Sequence, residues 1–290
     1  MGQERIIHAA LLGAGTVGSG VYKLVKDLEE EIISKTGARL VVDKILVRDT
    51  TKAREGIPSE LLIDRWDEIL NDPKIEIVIE VMGGIRPALT WLEEALRAGK
   101  QVVTANKDLL AEYGEQLFDA AEAGKCDLHF EAAVAGAIPI IRPLRQSLAA
   151  SELTEVMGIV NGTTNYILTR MTEDGMGYEE ALALATKLGY AESDPTADVE
   201  GYDAGRKVAI MASIAFNSNV TFSQVYTEGI THITAEDIRY AKEFGYVIKL
   251  IGMTRLTEGG VEVKDAFAGA ASAFDCPGFV QCGIYPWGSL

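Results

Sequence analysis

The stretch "IIHAALLGAGTVGSGVYKLVKDLEEEI" (residues 6–32) decides how the first half of the chain folds. An apolar run passes through Gly13-x-Gly15-x-x-Gly18 into helical spacing, which predicts one shared helix face for Val17, Val21, Leu24, Val25 and Leu28. Each glycine has a mechanical reason. Gly13 makes a tight turn, Gly15 lets backbone approach a pyrophosphate, and Gly18 lets the helix pack close on the strand. The first helical amides then face outward as an anion site, so Gly13, Gly15, Thr16, Val17 and Gly18 are candidate cofactor-binding residues. A structural turn is the competing reading. The strand before the motif and the amphipathic helix after it favour dinucleotide binding.

Working outward, further strands are expected at "RLVVDKILV" (39–47), "IEIVIEVM" (75–82), "QVVTA" (101–105) and "DLHFEAAV" (127–134). Helical stretches around 59–70, 86–98 and 108–123 separate them. This alternation predicts an α/β fold, with an N-terminal Rossmann-type doubly wound parallel sheet. Ligands of such sheets lie outside the carboxyl ends of the strands, here "VMGG" (81–84) and "TANK" (104–107). Thr104 is therefore a further cofactor candidate. After the second strand, "VRDTTKAR" presents Arg48, Lys52 and Arg54, which suit a 2′-phosphate, while Asp49 suits a free 2′-hydroxyl. The basic residues tilt the reading to NADP(H), with NAD(H) as the alternative; a solvated basic loop accounts for them nearly as well.

Length and composition bound the remaining choices. The 290 residues are long for one core, which predicts two domains. A formal net charge of −16 argues against nucleic acid or an anionic membrane as partner. The longest apolar run, "AAVAGAIPII" (132–141), is too short to span a bilayer, and "MGQERI" has no signal-peptide character. Three cysteines in a chain of this length point to a reducing, cytoplasmic setting, and no Cys/His spacing suggests zinc.

From about Ser151 the pattern changes to that of a second, α+β domain. "ELTEVMGIVN" reads as a strand and "GTTNYILTRM" as a helix that Thr163 or Thr164 would cap. Next comes "GYAESDPTADVEGYDAGRK" (189–207), with carboxylates at 192, 194, 198, 200 and 203. Asp194-Pro195 marks a turn, and a helix is expected from Asp198 through Phe216. Asp203 and Lys207 then share a face, because they are four residues apart. A surface ion pair is one reading; a proton-transfer lysine at the edge of a buried helix is the other. Gly201 and Gly205 leave a smooth stripe that something must approach closely.

These residues resemble the homoserine dehydrogenase family. The acidic stretch is similar to that family's G-[aromatic]-x-E-x-D-P-x-x-D-x-x-G-x-D-x-x-x-K segment. "LLGAGTVGSG", "TANK", "FEAAVAGAIPII" and "NGTTNYIL" match in the same order, over roughly residues 5 to 263. The resemblance implies NAD(P)-dependent interconversion of L-homoserine and L-aspartate 4-semialdehyde, in threonine and methionine biosynthesis. By the same match Lys207 is the proton donor, Lys107 the second lysine near cofactor and substrate, and Asp203 the residue that orients the reacting oxygen. Glu192, Asp198, Gly162, Thr163 and Tyr190 line the substrate pocket. Glu131, with the carbonyls of Val134, Gly136 and Ile138, would hold a sodium ion, and the second domain would form a homodimer through its sheet.

The expected division is 1–145 for the NAD(P)-binding domain, 146–263 for the substrate and dimerisation domain, and 264–290 for an atypical tail. That tail does not resemble the family's return to the nucleotide domain or its C-terminal ACT domain, which favours a truncated or frameshifted end over a genuine short form with a locally packed tail. Two alternatives follow: a catalytically impaired relative that binds NADP or a partner, and another Rossmann oxidoreductase acting on an aldehyde or amino acid.

Overall fold

The computed structural model describes residues 5–269, in two compact units that change over between Ala133 and Val134. Sequence pattern places that border later, at 145/146. In the first unit, β1 (Arg5–Leu12) leads through α1 (Thr16–Asp27) and α2 (Glu29–Thr36) to β2 (Ala38–Leu46). There follow β3 (Leu62–Ile63), α3 (Asp67–Leu70), β4 (Ile75–Glu80), α4 (Ala88–Arg97), β5 (Gln101–Thr104), α5 (Lys107–Gly124) and β6 (Leu128–His129). The six strands lie in the order β3-β2-β1-β4-β5-β6, all parallel. Ala9 to Leu12 of β1 are wholly buried, as a parallel strand covered on both faces requires. From β1 the chain runs outward through β2 to β3, then crosses back to β4 on the other side of β1, so the sheet has its switch point at the carboxyl end of β1.

Three local expectations change. The helix expected over 59–70 is a 3-10 turn at Ser59–Leu61, then β3, then the single turn of α3. Consecutive apolar residues at 61–63 suit a short buried strand, and Leu62 and Ile63 pair with Ile45 and Leu46. The strand expected over 127–134 stops at His129 and gives way to a 3-10 turn at Glu131–Ala133. The buried face of α1 is also rotated. Gly18 and Tyr22 are buried, and Val21 and Val25 pack against the core, while Val17, Leu24 and Leu28 stand exposed. A β-carbon at Gly18 would overlap the carbonyl of Gly13, so this side of the helix meets the strand end and carries the helix's orientation with it.

The second unit contains β7 (Glu155–Gly158), α6 (Gly162–Asp174), α7 (Tyr178–Lys187), α8 (Thr196–Val199), α9 (Tyr202–Ala215) and α10 (Ala235–Glu243). Its hairpin β8 (Ile248–Thr257) and β9 (Gly260–Gly269) completes an antiparallel sheet in the order β7-β8-β9. The apolar segment after Lys207 is buried as expected, with Val208 to Ala212 all in the core. Lys249 on β8 donates to Asn165 Oδ1 and Thr169 Oγ1 of α6, both at 2.8 Å, which ties that helix to the sheet; burial pushes the Lys249 pKa down.

Here too the structure corrects two expectations. The helix expected to run unbroken from Asp198 is two helices, parted at Glu200 and Gly201, where Gly201 takes the left-handed conformation with φ of 79°. The tail expected from residue 264 begins inside the sheet, since β9 pairs with β8 as far as Gly269 opposite Ile248. The rest of that tail lies outside the described residues. Among the described residues no helix is long and apolar enough to cross a membrane.

Candidate active site

At the carboxyl end of β1, Gly13 turns with φ of 101° and donates its N–H to Leu46 O at 3.0 Å. Gly15 is the N-cap of α1 and makes no side-chain cap. No atom lies within 4 Å of where a β-carbon at Gly15 would stand. The first-turn amides of α1, those of Thr16, Val17 and Gly18, therefore have open approach and no intrahelical acceptor, which fits a pyrophosphate. Beyond β2, Arg48 and Lys52 are exposed. Asp49 is turned inward on its own loop: Thr51 donates to it from both backbone and hydroxyl, and the hydroxyl bond above all holds the Asp49 carboxyl below its usual range. Arg54 donates to the carbonyls of Asp49 and Lys52 and so braces the loop.

The two loops after β4 and β5 are joined by a closed set of hydrogen bonds that sequence reading missed. Glu80, wholly buried at the end of β4, accepts from the N–H of Met82 (2.8 Å) and Gly83 (3.1 Å) with one oxygen. Its other oxygen accepts from Thr104 Oγ1 at 2.6 Å. Thr104 accepts from Asn106 N–H, and Asn106 donates to Gly84 O at 2.6 Å while capping α5 through Leu109 N–H. Thr104 therefore faces inward, 2% exposed, and holds "TANK" against "VMGG". Lys107 follows as the first residue of α5. The one available signal was a Glu in an otherwise apolar strand end, ahead of two glycines.

In the second unit, Asn161 caps α6; neither Thr163 nor Thr164 does. Its Oδ1 accepts from Thr164 N–H at 2.8 Å and from Thr164 Oγ1 at 2.9 Å. Its Nδ2 donates to Asp198 Oδ1 at 2.7 Å and to Asp203 Oδ2 at 2.8 Å. Lys207 donates to the same Asp203 oxygen at 2.6 Å and to Val160 O at 2.7 Å. The pair is largely enclosed, with side-chain exposures of 17% for Lys207 and 10% for Asp203. A surface ion pair does not describe it. Asn at a helix N-cap was legible as a capping preference, but its second role needed Asp198 and Asp203 in place.

The five carboxylates of the acidic stretch take separate positions. Asp198 and Asp203 converge on Asn161. Asp194 folds back to accept from Thr196 N–H and Oγ1 at the start of α8, and the hydroxyl bond chiefly lowers its pKa. Glu192 is exposed and Glu200 half-buried. Thr163 donates to Tyr190 O at 2.8 Å, and the Tyr190 ring stacks on Tyr166 with centroids 4.5 Å apart, so Gly162, Thr163 and Tyr190 lie along one edge of α6.

What approaches the glycine stripe is the chain itself. A β-carbon at Gly201 would overlap Asp265 of β9, and one at Gly205 would press on Thr227 and Phe222. Gly229 likewise meets Val199 O and Glu200, and Ile230 N–H donates to Val199 O at 2.7 Å. Asp265 pins this seam: its Oδ1 accepts from Glu228 N–H at 2.6 Å, while its buried Oδ2 has no partner. Burial pushes its pKa up to about 6. The junction that delivers Asp203 to the cluster is thus held by residues from 226 to 265.

The segment expected to hold a monovalent cation is a 3-10 turn at Glu131 followed by buried Val134 and two left-handed residues, Ala135 and Gly136, with φ of 59° and 56°. Ile138 N–H closes the turn on Ala135 O at 3.0 Å. Among the described residues, no group of three or more His, Cys, Asp or Glu side chains could hold a metal ion.

Together these features define a two-unit α/β protein of the nicotinamide-dinucleotide type, with a carboxylate–lysine cluster in its second unit. Residues 13–131 match the family model of the homoserine dehydrogenase NAD-binding domain, and residues 139–274 that of homoserine dehydrogenase. The chain is 46% identical to the homoserine dehydrogenase of Bacillus subtilis over 261 residues, covering 90% of this chain and 60% of that one. It is 50% identical to that of Corynebacterium glutamicum over 252 residues, covering 87% and 57%. The crystal structure of a homoserine dehydrogenase from Thiobacillus denitrificans superimposes with a TM-score of 0.86 at 44% identity, over 91% of this chain and 62% of the other. The chain belongs to the homoserine dehydrogenase family. It spans about 60% of the length of the curated relatives it matches.

Proposed function

We propose that the chain interconverts L-homoserine and L-aspartate 4-semialdehyde with NADP(H), using Lys207 as the proton donor in the reducing direction. The observation that carries this reading is the enclosed Lys207–Asp203 pair, tied at 2.6 Å and anchored to Val160 O. When bound, the nicotinamide supplies the hydride that reduces the aldehyde carbon. Lys207 gives the forming alkoxide its proton, and Asp203 holds the ammonium in line for that transfer. Asp198, with Glu192, offers negative charge to the substrate's α-ammonium, while Gly162, Thr163 and Tyr190 shape the pocket. Lys107, at the start of α5 in the first unit, is the second lysine that the family resemblance implicates.

In the first unit the first-turn amides of α1 hold the pyrophosphate, and exposed Arg48 and Lys52 favour a 2′-phosphate over a free hydroxyl. Thr104 serves by locking the loop that bears Lys107. The left-handed pair Ala135–Gly136 supports a carbonyl-lined turn for a sodium ion with Glu131. Among the described residues β7 is an edge of the second unit's sheet, which supports a homodimer built on that unit, and a cytoplasmic setting accords with this chemistry.

The test is L-homoserine-dependent reduction of NADP⁺, beside NAD⁺, at alkaline pH with and without sodium. Turnover faster with NADP⁺ and raised by sodium supports each part of the reading. Folded protein that binds NADPH without turnover would leave a binding relative, and preference for another alcohol would replace the substrate.

A further inference from the structure

We infer that Asn161 is a positioning residue for this reaction: its single amide sets Asp198 and Asp203 relative to each other, and the carbonyl next to it sets Lys207. The inference rests on the function proposed above, but its geometry stands by itself. Asn161 is 5% exposed. Its oxygen is committed to the start of α6 by two donors from Thr164, which fixes the direction of the amide. Both N–H bonds must then point away from the helix, and each finds a carboxylate, at 2.7 and 2.8 Å. One residue back, Val160 O takes the Lys207 ammonium at 2.7 Å. Two adjacent residues thus govern three charged groups brought in from α8 and α9.

Few side chains can do this. The position needs an acceptor for the helix amide and two donors for carboxylates, on one short rigid stem. Aspartate keeps the acceptor, loses both donors and adds a third negative charge beside Asp198 and Asp203. Serine keeps the cap and loses both N–H donors, and its single O–H cannot bridge two carboxylates. Without the bridging amide, Asp198 has no donor from α6, and Asp203 keeps only Lys207 among these partners. Asp198 and Asp203 then lose the one group that ties them together, and the proton-transfer pair is held less firmly in its geometry.

Two roles for Asn161 predict different orders among variants. A residue that only caps α6 predicts wild type, Asn161→Asp and Asn161→Ser all alike, with Asn161→Ala impaired, because Asp and Ser cap as well as Asn. A positioning residue predicts that Asn161→Ser and Asn161→Asp both lose kcat, by about 100-fold for a displacement of about 1 Å. Asn161→Asp should be the worse of the two. The melting temperature of Asn161→Ser should fall, because two carboxylates each lose a buried donor, while the NADPH dissociation constant of both variants, measured below the melting range, should stay near wild type. A primary deuterium isotope effect from 4-deuterated NADPH should rise in both as chemistry becomes slower than release. Wild-type kcat in Asn161→Ser and Asn161→Asp would overturn the inference.

A crystal structure of Asn161→Ser decides the point apart from activity. Asp198 or Asp203 turned away from its wild-type position supports the inference even if the wild type fails to oxidise homoserine, in which case only the proposed function falls. Both carboxylates unmoved overturns it.

Discussion

Loops at the end of the first unit's sheet and the helix junction of the second unit are both held by buried carboxylates, with different partners. Glu80 is satisfied by two backbone N–H groups and one hydroxyl, all neutral and all fixed by the fold. Asp203 accepts from an amide and an ammonium, and the ammonium carries the proton that the proposed reaction would use. Neutral donors around a carboxylate make a rigid brace. An ammonium beside one makes a brace that can also react. Asp265 is a third case, half satisfied: one oxygen takes the Glu228 N–H while the other lies buried and unpartnered beside Gly201.

The division between brace and reactive pair can be broken most directly at Lys207. Lys207→Ala should lower turnover by about 10²–10⁴, the range for a lost acid–base group, while NADPH titration by fluorescence stays nearly unchanged. A variant that no longer binds NADPH would mean that the two clusters are not separable. Glu80→Ala leaves three donors without an acceptor, at a cost of about 3 kcal/mol or more by thermal or urea unfolding. Glu80→Gln should cost less, since one oxygen still accepts from Met82 and Gly83. If both variants are as stable as wild type, Glu80 is no brace.

Smaller effects sharpen the same contrast. Gly18→Ala pushes a β-carbon onto the Gly13 carbonyl, an overpacking cost of about 1–3 kcal/mol. NADPH should bind about tenfold or more weakly, in keeping with about 1.4 kcal/mol per decade, and Lys207 chemistry at saturating cofactor should be little changed. The smallest effect concerns Asp265. Its carboxyl ordinarily titrates at 3.8 and in the fold at about 6. The folded state thus favours the protonated form, so the stability this group contributes is whole below 3.8 and is lost as pH rises through about 6. Asp265→Asn should melt higher than wild type above that range, with the gap closing toward acid. A gap independent of pH would show that Asp265 does not titrate there.

Much of this was legible before any coordinates. The glycine spacing after β1 and the alternation of strands and helices led to the parallel sheet, and the acidic stretch with its lysine led to the cluster in the second unit. Reading was weakest where a residue answers to a distant partner. Val17, Leu24 and Leu28 looked like the inner face of α1 by spacing, but the contact of Gly18 with Gly13 turned the helix. Gly201 and Gly205 left a smooth stripe for something to approach closely, and only the fold shows that it is Asp265, Thr227 and Phe222. Thr104 looked exposed to cofactor at a strand end, but Glu80 had already claimed its hydroxyl.

By itself the sequence determined the dinucleotide turn, the direction of the sheet and the pairing of Asp203 with Lys207, because each depends on residues a few positions apart under local helix and strand geometry. Tertiary structure alone decided the clusters that set their orientation. Glu80 meets Thr104 across 24 residues, and Asn161 meets Asp198 and Asp203 across 37 and 42. Such bonds leave no period in the chain. They form only when packing brings two loops together and removes the water that would otherwise satisfy them.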